Sequence, residues 1–124
     1  MPKILVVDDN PIGRMLVAGV LQATRTPGLE ILTATTALEA AIMLDRNSID
    51  MLFTDLHMGD VNGIQLVLKL RKTGHTMPIV VVTMEESPEI LKKVLDAGAT
   101  MVLSKRAGPG ELQKALELVT TKKG

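Results

Sequence analysis

Five polar residues of the sequence stand where short apolar runs end. They are Asp8, Asp9, Asp55, Thr83 and Lys105. Three carboxylates held close together repel one another unless a divalent cation with oxygen ligands relieves the repulsion. Mg²⁺ suits such a site, and it usually keeps several waters and binds phosphate as well. The combination therefore indicates phosphoryl chemistry more than metal storage.

The five residues supply complementary parts of a phosphoryl transfer. A carboxylate such as Asp55 is a competent nucleophile for forming an aspartyl phosphate. Lys105 would neutralise phosphoryl oxygens opposite the metal, and Thr83 would give its hydroxyl to another oxygen. Taken singly, each residue has an ordinary interpretation as a turn, a helix cap, a β-branched strand residue or a solvated charge. Only the combination favours a site.

These residues can meet only if the fold brings the ends of the apolar runs to one edge. Runs rich in Val and Ile alternate five times with segments of helical period, which is typical of a parallel sheet covered on both faces. The predicted strands are 3–8, 29–34, 51–55, 78–83 and 101–105. In an open parallel sheet the site forms beyond the carboxyl ends of the strands, where the polar residues fall.

Each intervening segment carries apolar residues at spacings of three and four, which predicts a helix with one stripe against the sheet. The predicted stripes are Ile12/Met15/Leu16/Val20, Leu38/Ala41/Ile42, Ile64/Val67/Leu68, Ile90/Val94/Leu95 and Leu112/Ala115/Leu116/Val119. The pairs at 10–11, 87–88 and 108–109 place a capping residue before a proline and predict helix starts. Gly74 and Gly98 predict helix ends. Gly13 and Gly19 lie inside the first helix, where close helix packing is the simplest explanation.

Composition limits the classes of function. The 124 residues suit one domain spanning 1–124, with 120–124 as a fraying tail. The 14 basic and 14 acidic residues cancel, so no overall field favours nucleic acid or an anionic membrane. Phe53 is the only aromatic residue, which argues against base stacking. The absence of cysteine and of any long apolar run fits a cytoplasmic protein.

The order of these motifs resembles the response-regulator receiver family of two-component signalling over essentially the whole chain. The resemblance rests on ILVVDDN (4–10), FTDLHM (53–58), NG (62–63), PIVVVT (78–83), GA (98–99) and SK (104–105). It implies a flavodoxin-like, doubly wound α/β fold, as in stand-alone CheY-like receivers. Such a fold has a five-stranded parallel sheet in the order 2-1-3-4-5 and five helices.

The resemblance also implies roles for the site residues. Asp55 would accept a phosphoryl group from a sensor histidine kinase or a phosphotransfer protein. Asp9, Asp55 and the backbone carbonyl of His57 would bind Mg²⁺, with Asp8 assisting through water, while Thr83 and Lys105 would contact the phosphoryl group. The protein would then be a signalling switch and not an enzyme. It would act on a downstream protein by contact, without direct nucleic-acid binding or membrane insertion.

Several positions depart from the family, and they concern signal output. Val102 stands where the family usually has Tyr or Phe, Met84 replaces a small residue, and Gly59 replaces Pro. Arg106 replaces a Pro that follows a cis bond, and a cis bond before a non-proline residue costs roughly 2.5–4 kcal/mol, so a trans bond is predicted. These departures motivate a second hypothesis, a receiver-fold adaptor whose partner binding is independent of phosphorylation.

The side chains of His57 and Glu85 occupy positions that often modulate phosphoryl lifetime in the family. His57 lacks a Cys or His partner at zinc spacing, so its side chain is expected to be solvated. A third hypothesis is a hydrolase or nucleotide-binding enzyme on a similar sheet. The sequence contains neither G-x-G-x-x-G nor a P-loop, and adjacent Asp8 and Asp9 do not match aspartate-dependent phosphohydrolases.

Overall fold

The computed structural model describes residues 2–57, 62–106 and 108–120, with the backbone alone described at Pro109 and Thr120. Within these ranges strands and helices alternate along the chain. The elements are β1 (Lys3–Val7), α1 (Pro11–Ala23), β2 (Glu30–Ala34), α2 (Ala37–Arg46), β3 (Met51–Asp55), α3 (Gly63–Lys72), β4 (Ile79–Thr83), α4 (Pro88–Asp96), β5 (Met101–Ser104) and α5 (Pro109–Thr120).

The strands form one parallel sheet in the order β2-β1-β3-β4-β5, which confirms the predicted topology. Asp55 pairs with Val82, and Thr83 pairs with Ser104, so the carboxyl ends of the strands lie along one edge. The predicted strand limits differ from the observed ones by no more than one residue at an end. The chemistry-bearing residues therefore reach the same edge.

Side chains alternate between the two faces of the sheet. Val6 and Phe53 pack in a core with α1 and α5, while Val7 and Val81 pack in a second core with α2, α3 and α4. Burying an aliphatic side chain of this size contributes roughly 1.5–3 kcal/mol before the entropy of folding is subtracted. The central strands β3 and β4 are buried on both faces, which explains their nearly continuous apolar runs.

The predicted core stripe of α1 is largely wrong. Ile12, Met15 and Leu16 are 66%, 72% and 63% exposed. Only Val20 of the predicted stripe packs in the core, together with Val17 and with Leu21, which is fully buried. Apolar residues occur on more than one side of this helix, so periodicity alone cannot decide which side faces the core.

The predicted stripe of α2 is wrong, those of α3 and α4 are partly wrong, and that of α5 is confirmed. Predicted core residues that prove exposed are Leu38, Ile42, Leu68 and Leu95. The buried residues of these helices that the stripes missed are Ala40, Leu44, Leu66 and Leu70. In α5, Leu112, Ala115 and Leu116 are buried and Val119 packs against them, as the spacing predicts.

The helix boundaries follow the predicted signals closely. Asn10 and Ser87 cap α1 and α4 by accepting bonds from backbone amides of the first turns. Gly74 and Gly98 follow α3 and α4 with φ values of 95° and 119°, where a side chain would be strained. α5 runs through Thr120, which the sequence assigned to the tail, and residues 121–124 lie outside the described residues.

Candidate functional site

Two of the site residues lie just past their strands but remain fixed by strand pairing. The amide of Asp8 donates to the carbonyl of Ala34 at 3.1 Å, which extends the pairing of β1 with β2. The amide of Lys105 donates to the carbonyl of Thr83 at 2.9 Å, which extends the pairing of β4 with β5. Both side chains are therefore held at the carboxyl edge of the sheet by backbone bonds.

The carboxylates of Asp8, Asp9 and Asp55 converge at this edge. One oxygen from each lies within 4.8 Å of the others. Asp8 is 3% exposed and Asp55 is 8% exposed, whereas Asp9 is exposed. A set of hard oxygen donors, two of them buried, fits a divalent cation such as Mg²⁺. These three side chains could hold the metal that the sequence predicts.

Lys105 spans the two buried carboxylates. Its Nζ lies 3.4 Å from Oδ2 of Asp8 and 3.2 Å from Oδ1 of Asp55. Burial acts to lower the pKa of Lys105, but the carboxylates of Asp55 and Asp8 outweigh it, and the net pKa is raised. Lys105 therefore stays protonated and places a positive charge where an anionic group approaching Asp55 would meet it.

The pKa of Asp55 is raised above its ordinary value. Burial raises its pKa, and the neighbouring carboxylate of Asp8 raises it further, while Lys105 and the amide of Leu56 act in the opposite direction. That amide donates to Oδ1 of Asp55 at 2.8 Å. A cation bound beside Asp55 would favour its charged form and so oppose this rise in its pKa.

Asp8 is supported by Asn10, the N-cap of α1, and by Arg14 within that helix, a contact that the sequence did not predict. The amide of Asn10 donates to Oδ1 of Asp8 at 2.9 Å, and Nη1 of Arg14 donates to its backbone carbonyl at 2.8 Å. A side-chain carbon at Gly13 would collide with the Asp8 carboxylate. Close helix packing was thus the wrong explanation for Gly13, and it is also wrong for Gly19, whose added carbon would meet nothing within 4 Å.

A second glycine allows the start of α3 to lie close to Asp55. The amide of Gly63 donates to the carbonyl of Leu56 at 2.6 Å, and an added carbon would lie 2.6 Å from the carbonyl oxygen of Asp55. Asn62 and Gln65 form a reciprocal capping box at the same helix start. The Asn-Gly pair was noted in the sequence, but its contact with Asp55 was not anticipated.

Thr83 and Glu85 shape the side of the site formed by β4. The hydroxyl of Thr83, which is 1% exposed, accepts a bond from the amide of Glu85 at 3.0 Å. That bond leaves the hydroxyl hydrogen able to be donated elsewhere. The side chain of Glu85 accepts from the amide of Ser87, and it lies 3.7 Å from Nε2 of His57. The His57 side chain is 70% exposed, in line with a solvated group.

Of the positions that depart from the family, the structure describes Val102, Met84 and Arg106. Val102 lies half-buried in β5 and packs in the core shared with α4. The described residues contain no cis peptide bond, which confirms a trans bond between Lys105 and Arg106. Nη1 of Arg106 lies 3.3 Å from Oε2 of Glu86 in an exposed ion pair. Met84 is 51% exposed, and Gly59 lies outside the described residues.

Comparison with known proteins gives a consistent result. The family model described as "Response regulator receiver domain" matches residues 4–117. The sensor histidine kinase RcsC of Salmonella typhi is 34% identical over 113 residues. These residues make up 91% of this chain but 12% of the kinase, so the chain spans a small part of that relative's length.

Solved structures of similar fold cover nearly the whole chain. The Vibrio cholerae chemotaxis protein CheY4, crystallised at pH 4.0, has a TM-score of 0.84 and 32% identity, covering 96% of this chain and 98% of that one. The BeF3-activated receiver domain of Klebsiella pneumoniae RstA has a TM-score of 0.84 and 25% identity, covering 97% and 99%. Among the helices of the described residues, none has the length and apolar character needed to cross a membrane.

Proposed function

The chain belongs to the response regulator receiver domain family, and on that premise we propose that it is a phospho-accepting switch of two-component signalling. Asp55 takes a phosphoryl group from a phosphohistidine of a sensor histidine kinase or a phosphotransfer protein. A segment of a sensor histidine kinase is 34% identical to this chain, and this similarity supports a donor of the same signalling class. The modified protein then changes its contacts with a downstream protein and acts as a switch, not an enzyme.

In the proposed transfer a carboxylate oxygen of Asp55 attacks the phosphorus. The new P–O bond forms as the P–N bond to the donor imidazole breaks, and the imidazole nitrogen keeps the electron pair. Lys105 and the amide of Leu56 both contact Oδ1 of Asp55. We therefore take Oδ2 as the attacking oxygen, because Oδ1 is already held in place by these donors.

Lys105 and Thr83 are positioned to contact the transferred group. The ammonium of Lys105 bridges Asp8 and Asp55, so phosphoryl oxygens at Asp55 fall within its reach. The Thr83 hydroxyl can donate its hydrogen while it accepts from the Glu85 amide. Both groups provide positive or donor character where negative charge accumulates, which is how proteins favour phosphoryl transfer.

The proposal includes Mg²⁺ as a cofactor, which the carboxylates of the site would hold. Asp8, Asp9 and Asp55, together with the backbone carbonyl of His57, are the groups that would hold Mg²⁺. When bound, Mg²⁺ supplies positive charge that offsets the charge of the phosphoryl oxygens. Without it, burial and Asp8 hold the pKa of Asp55 above its ordinary value.

The single observation that carries the proposal is the placement of Lys105 between two buried carboxylates beside Asp9. The test is intact-mass measurement after incubation with Mg²⁺ and phosphoramidate as a small phosphodonor. The wild type and an Asp45→Ala control, changed at an exposed position of α2, should each gain one phosphoryl group. Asp55→Ala should gain none while keeping the wild-type circular dichroism spectrum. No gain in the wild type, or a gain that survives Asp55→Ala, contradicts the proposal.

The second candidate function is an adaptor on the same fold, whose partner binding does not depend on phosphorylation. It is favoured by Val102, Met84 and Arg106, which stand at positions linked to signal output in the family. Amide chemical shifts before and after phosphorylation separate the two candidates. A switch should show changes that extend to Val102 in β5, whereas an adaptor should show changes confined to the neighbourhood of Asp55.

The proposal also covers domain organisation, the type of partner and cellular location. We propose that residues 1–124 form one receiver domain, which the family match to 4–117 supports. The balanced charge and the scarcity of aromatic residues support protein contacts over direct nucleic-acid binding. A cytoplasmic location, without membrane insertion, is proposed from the absence of cysteine and the nature of the donor class.

A further inference from the structure

α1 differs from the other helices in the surface that it turns to solvent. Its exposed residues are all uncharged, and its only charged residue, Arg14, is half-buried and donates to the carbonyl of Asp8. Each of the other helices exposes at least two charged side chains among its described residues. Residues at spacings of three and four on the exposed side of α1 form what we call the α1 face: Ile12, Met15, Leu16 and Gly19. An apolar surface of this kind is typical of a protein interaction site.

The shape of the α1 face is complementary to a second copy of itself. Ile12 is 66% exposed, whereas a carbon added at Gly19 would meet nothing within 4 Å, so the helix has an open notch there. Ile12 and Gly19 lie equally far, in opposite directions, from the midpoint between Met15 and Leu16. A two-fold axis at this midpoint that relates two antiparallel α1 helices therefore places Ile12 of each copy against Gly19 of the other. Met15 and Leu16 then each lie beside their own counterpart.

We propose that the chain forms a homodimer through the α1 face, with the two α1 helices antiparallel. The charges at the ends of the helix support this direction. Asp9 is exposed just before the N-cap Asn10, and Arg25 is exposed just after the C-cap Thr24. In an antiparallel pair Arg25 of the second copy approaches Asp9, and the two helix dipoles oppose each other. A parallel pair would instead bring Asp9 near Asp9 and Arg25 near Arg25, where like charges repel.

The dimer is weak and lies beside the acidic cluster. The α1 face is smaller than a standard interface of roughly 1,600 Å², so we expect a dissociation constant on the order of 100 μM. Its apolar centre has no charge to desolvate, which favours association at this small area. The carboxylate of Asp9 lies within 4.8 Å of those of Asp8 and Asp55. The second copy therefore contributes a positive charge, that of Arg25, next to this cluster.

Sedimentation equilibrium of the full chain, without Mg²⁺ or a phosphodonor, tests for the dimer. The wild type should shift from monomer toward dimer between about 10 μM and about 1 mM. Because no phosphoryl chemistry takes place under these conditions, the result does not depend on the proposed function. A wild type that is still monomeric at about 1 mM overturns the proposal and leaves the α1 face to a partner of another kind.

Matched variants test whether the α1 face is the interface. Ile12→Glu buries a charge against the notch of the other copy and should weaken dimerisation at least about tenfold. Ile42→Glu makes the same change at an exposed position of α2 and should dimerise as the wild type does. Gly19→Leu fills the notch and should weaken dimerisation to a similar degree while keeping the circular dichroism spectrum, since nothing lies within 4 Å of the added carbon. Wild-type dimerisation in either α1 variant, or an equal loss in Ile42→Glu, overturns the α1 face as the interface.

Disulfide crosslinking tests the direction and register of the pair, because the chain has no cysteine of its own. Met15→Cys should crosslink to its own copy under mild oxidation, since it lies beside the two-fold axis. Ile12→Cys and Gly19→Cys should each fail to do so alone, because their counterparts lie about 10 Å apart along the helix axis, beyond the roughly 7 Å that a disulfide spans between Cα atoms. A mixture of the two should crosslink. Self-crosslinking of Ile12→Cys as fast as that of Met15→Cys overturns the antiparallel arrangement.

A charge reversal tests the contact between the helix ends. Arg25→Glu places a negative charge beside Asp9 of the second copy and should weaken dimerisation about two- to fivefold, as expected for an exposed ion pair. Arg46→Glu makes the same change at an exposed position at the end of α2 and should leave dimerisation unchanged. Unchanged or tighter dimerisation in Arg25→Glu overturns the pairing of Arg25 with Asp9.

Discussion

At the scale of single residues, the site places a buried carboxylate where its charge is unfavourable. The pKa of Asp55 is raised, first by burial and then by Asp8, so the native state binds its proton more tightly than the unfolded chain does. A group of this kind favours folding at low pH and loses that contribution as the pH rises from its unfolded pKa through its folded pKa. Charge at Asp55 therefore lowers stability at neutral pH.

Asp55→Asn should raise the melting temperature at neutral pH in the presence of EDTA. Removal of the charge should give a gain of a few degrees, since 1 kcal/mol corresponds to roughly 3–6 °C for a domain of this length. The advantage should shrink as the pH falls toward about 4, where the acid becomes protonated in both states. Thermal unfolding monitored by circular dichroism at several pH values in this range measures the difference in melting temperature.

The control for this experiment is Asp45→Asn, which makes the same change at an exposed position of α2. Exposed substitutions of this type usually change stability by less than about 0.5 kcal/mol. A destabilised Asp55→Asn at neutral pH would show that the ion pair with Lys105 outweighs burial, and the direction of the pKa shift at Asp55 would then be wrong.

The main site residues were accessible from the sequence because the ends of parallel strands meet at one edge. Asp8, Asp55 and Lys105 needed only that topological rule to be brought together. Gly13 and Arg14 were not identified because their contacts with Asp8 depend on how α1 turns back over the end of β1. Side-chain periodicity carries no information about that turn.

At the scale of elements, α1 contains two glycines that are equivalent by helix propensity but differ in their surroundings. Gly13 lies against the carboxylate of Asp8, whereas Gly19 faces open space. Gly19→Ala should raise the free energy of unfolding by about 0.5–1 kcal/mol, because alanine is the better helix former. Gly13→Ala should gain less or lose stability, because the new carbon displaces Asp8.

The same pair of variants reports on the site. Gly13→Ala should slow phosphorylation by phosphoramidate and weaken Mg²⁺ binding, while Gly19→Ala should leave both unchanged. Urea unfolding provides the stabilities, and timed intact-mass measurements provide the rates. Equal rates in the two variants would show that Asp8 adapts to the added carbon without loss of function.

Arg71 at the end of α3 ties together three parts of the chain far from the site. Its guanidinium donates to the carbonyls of His75 and Met77 at 2.9 and 2.8 Å and to that of Gly98 at 2.9 Å. Burial lowers the pKa of Arg71, but an arginine guanidinium keeps its charge in proteins. The side chain thus joins α3 to the segment before β4 and to the turn after α4.

Arg71→Met should lower the free energy of unfolding by roughly 2–3 kcal/mol, because it leaves several carbonyls without their charged donor. Lys72→Met, at the neighbouring exposed position, should change it by less than about 0.5 kcal/mol. Urea unfolding compares the two. The phosphorylation rate of folded Arg71→Met should match the wild type, and a slower rate would reveal an unforeseen link between this corner and the site.

Helix positions were predicted well, but helix orientation was not. Capping residues and glycines mark where a helix begins and ends, so the limits near Asn10, Gly74 and Gly98 followed from local chemistry. The side that faces the sheet is set by packing with neighbours, and α1 offers apolar residues on competing sides. α5 was predicted correctly because most of its apolar residues fall on one stripe, and only Leu118 lies outside it and is exposed.

At the scale of the whole molecule, the sheet brings carboxylates from separate segments to one edge. Asp8 and Asp9 follow β1, while Asp55 ends β3, more than 40 residues later along the chain. An unfolded chain cannot hold them within 4.8 Å of one another. A cation that binds this cluster therefore binds the native state alone and must stabilise it.

Mg²⁺ should raise the melting temperature of the wild type, and EDTA should reverse the effect. At a concentration about 100 times the dissociation constant the gain is about 2.7 kcal/mol. Asp9→Asn, which changes the exposed ligand, should show a much smaller rise, whereas Asp45→Asn should respond as the wild type does. Differential scanning calorimetry at increasing Mg²⁺ measures the effect. An equal rise in Asp9→Asn would mean that the cation binds elsewhere.

The topology of the molecule was predictable because alternating strands and helices leave few arrangements, and motif order selected one of them. The route by which the site influences a partner was not predictable. Val102 and Arg106 replace the aromatic residue and the proline from which signal output is usually inferred in the family. Val102 nevertheless packs in the core shared with α4, so a path from β5 to that helix exists. The amide chemical shifts measured before and after phosphorylation would show whether a change at Asp55 reaches Val102.

Phe53 offers a position for a spectroscopic probe beside the site. It is the only aromatic residue of the chain, and it lines the small void beneath Asp8 and Asp55. A single fluorinated phenylalanine would thus give one ¹⁹F resonance, located on the floor of the site and free of overlap from other rings. Fluorinated Phe53 would therefore report on the place where the chemistry is proposed to occur.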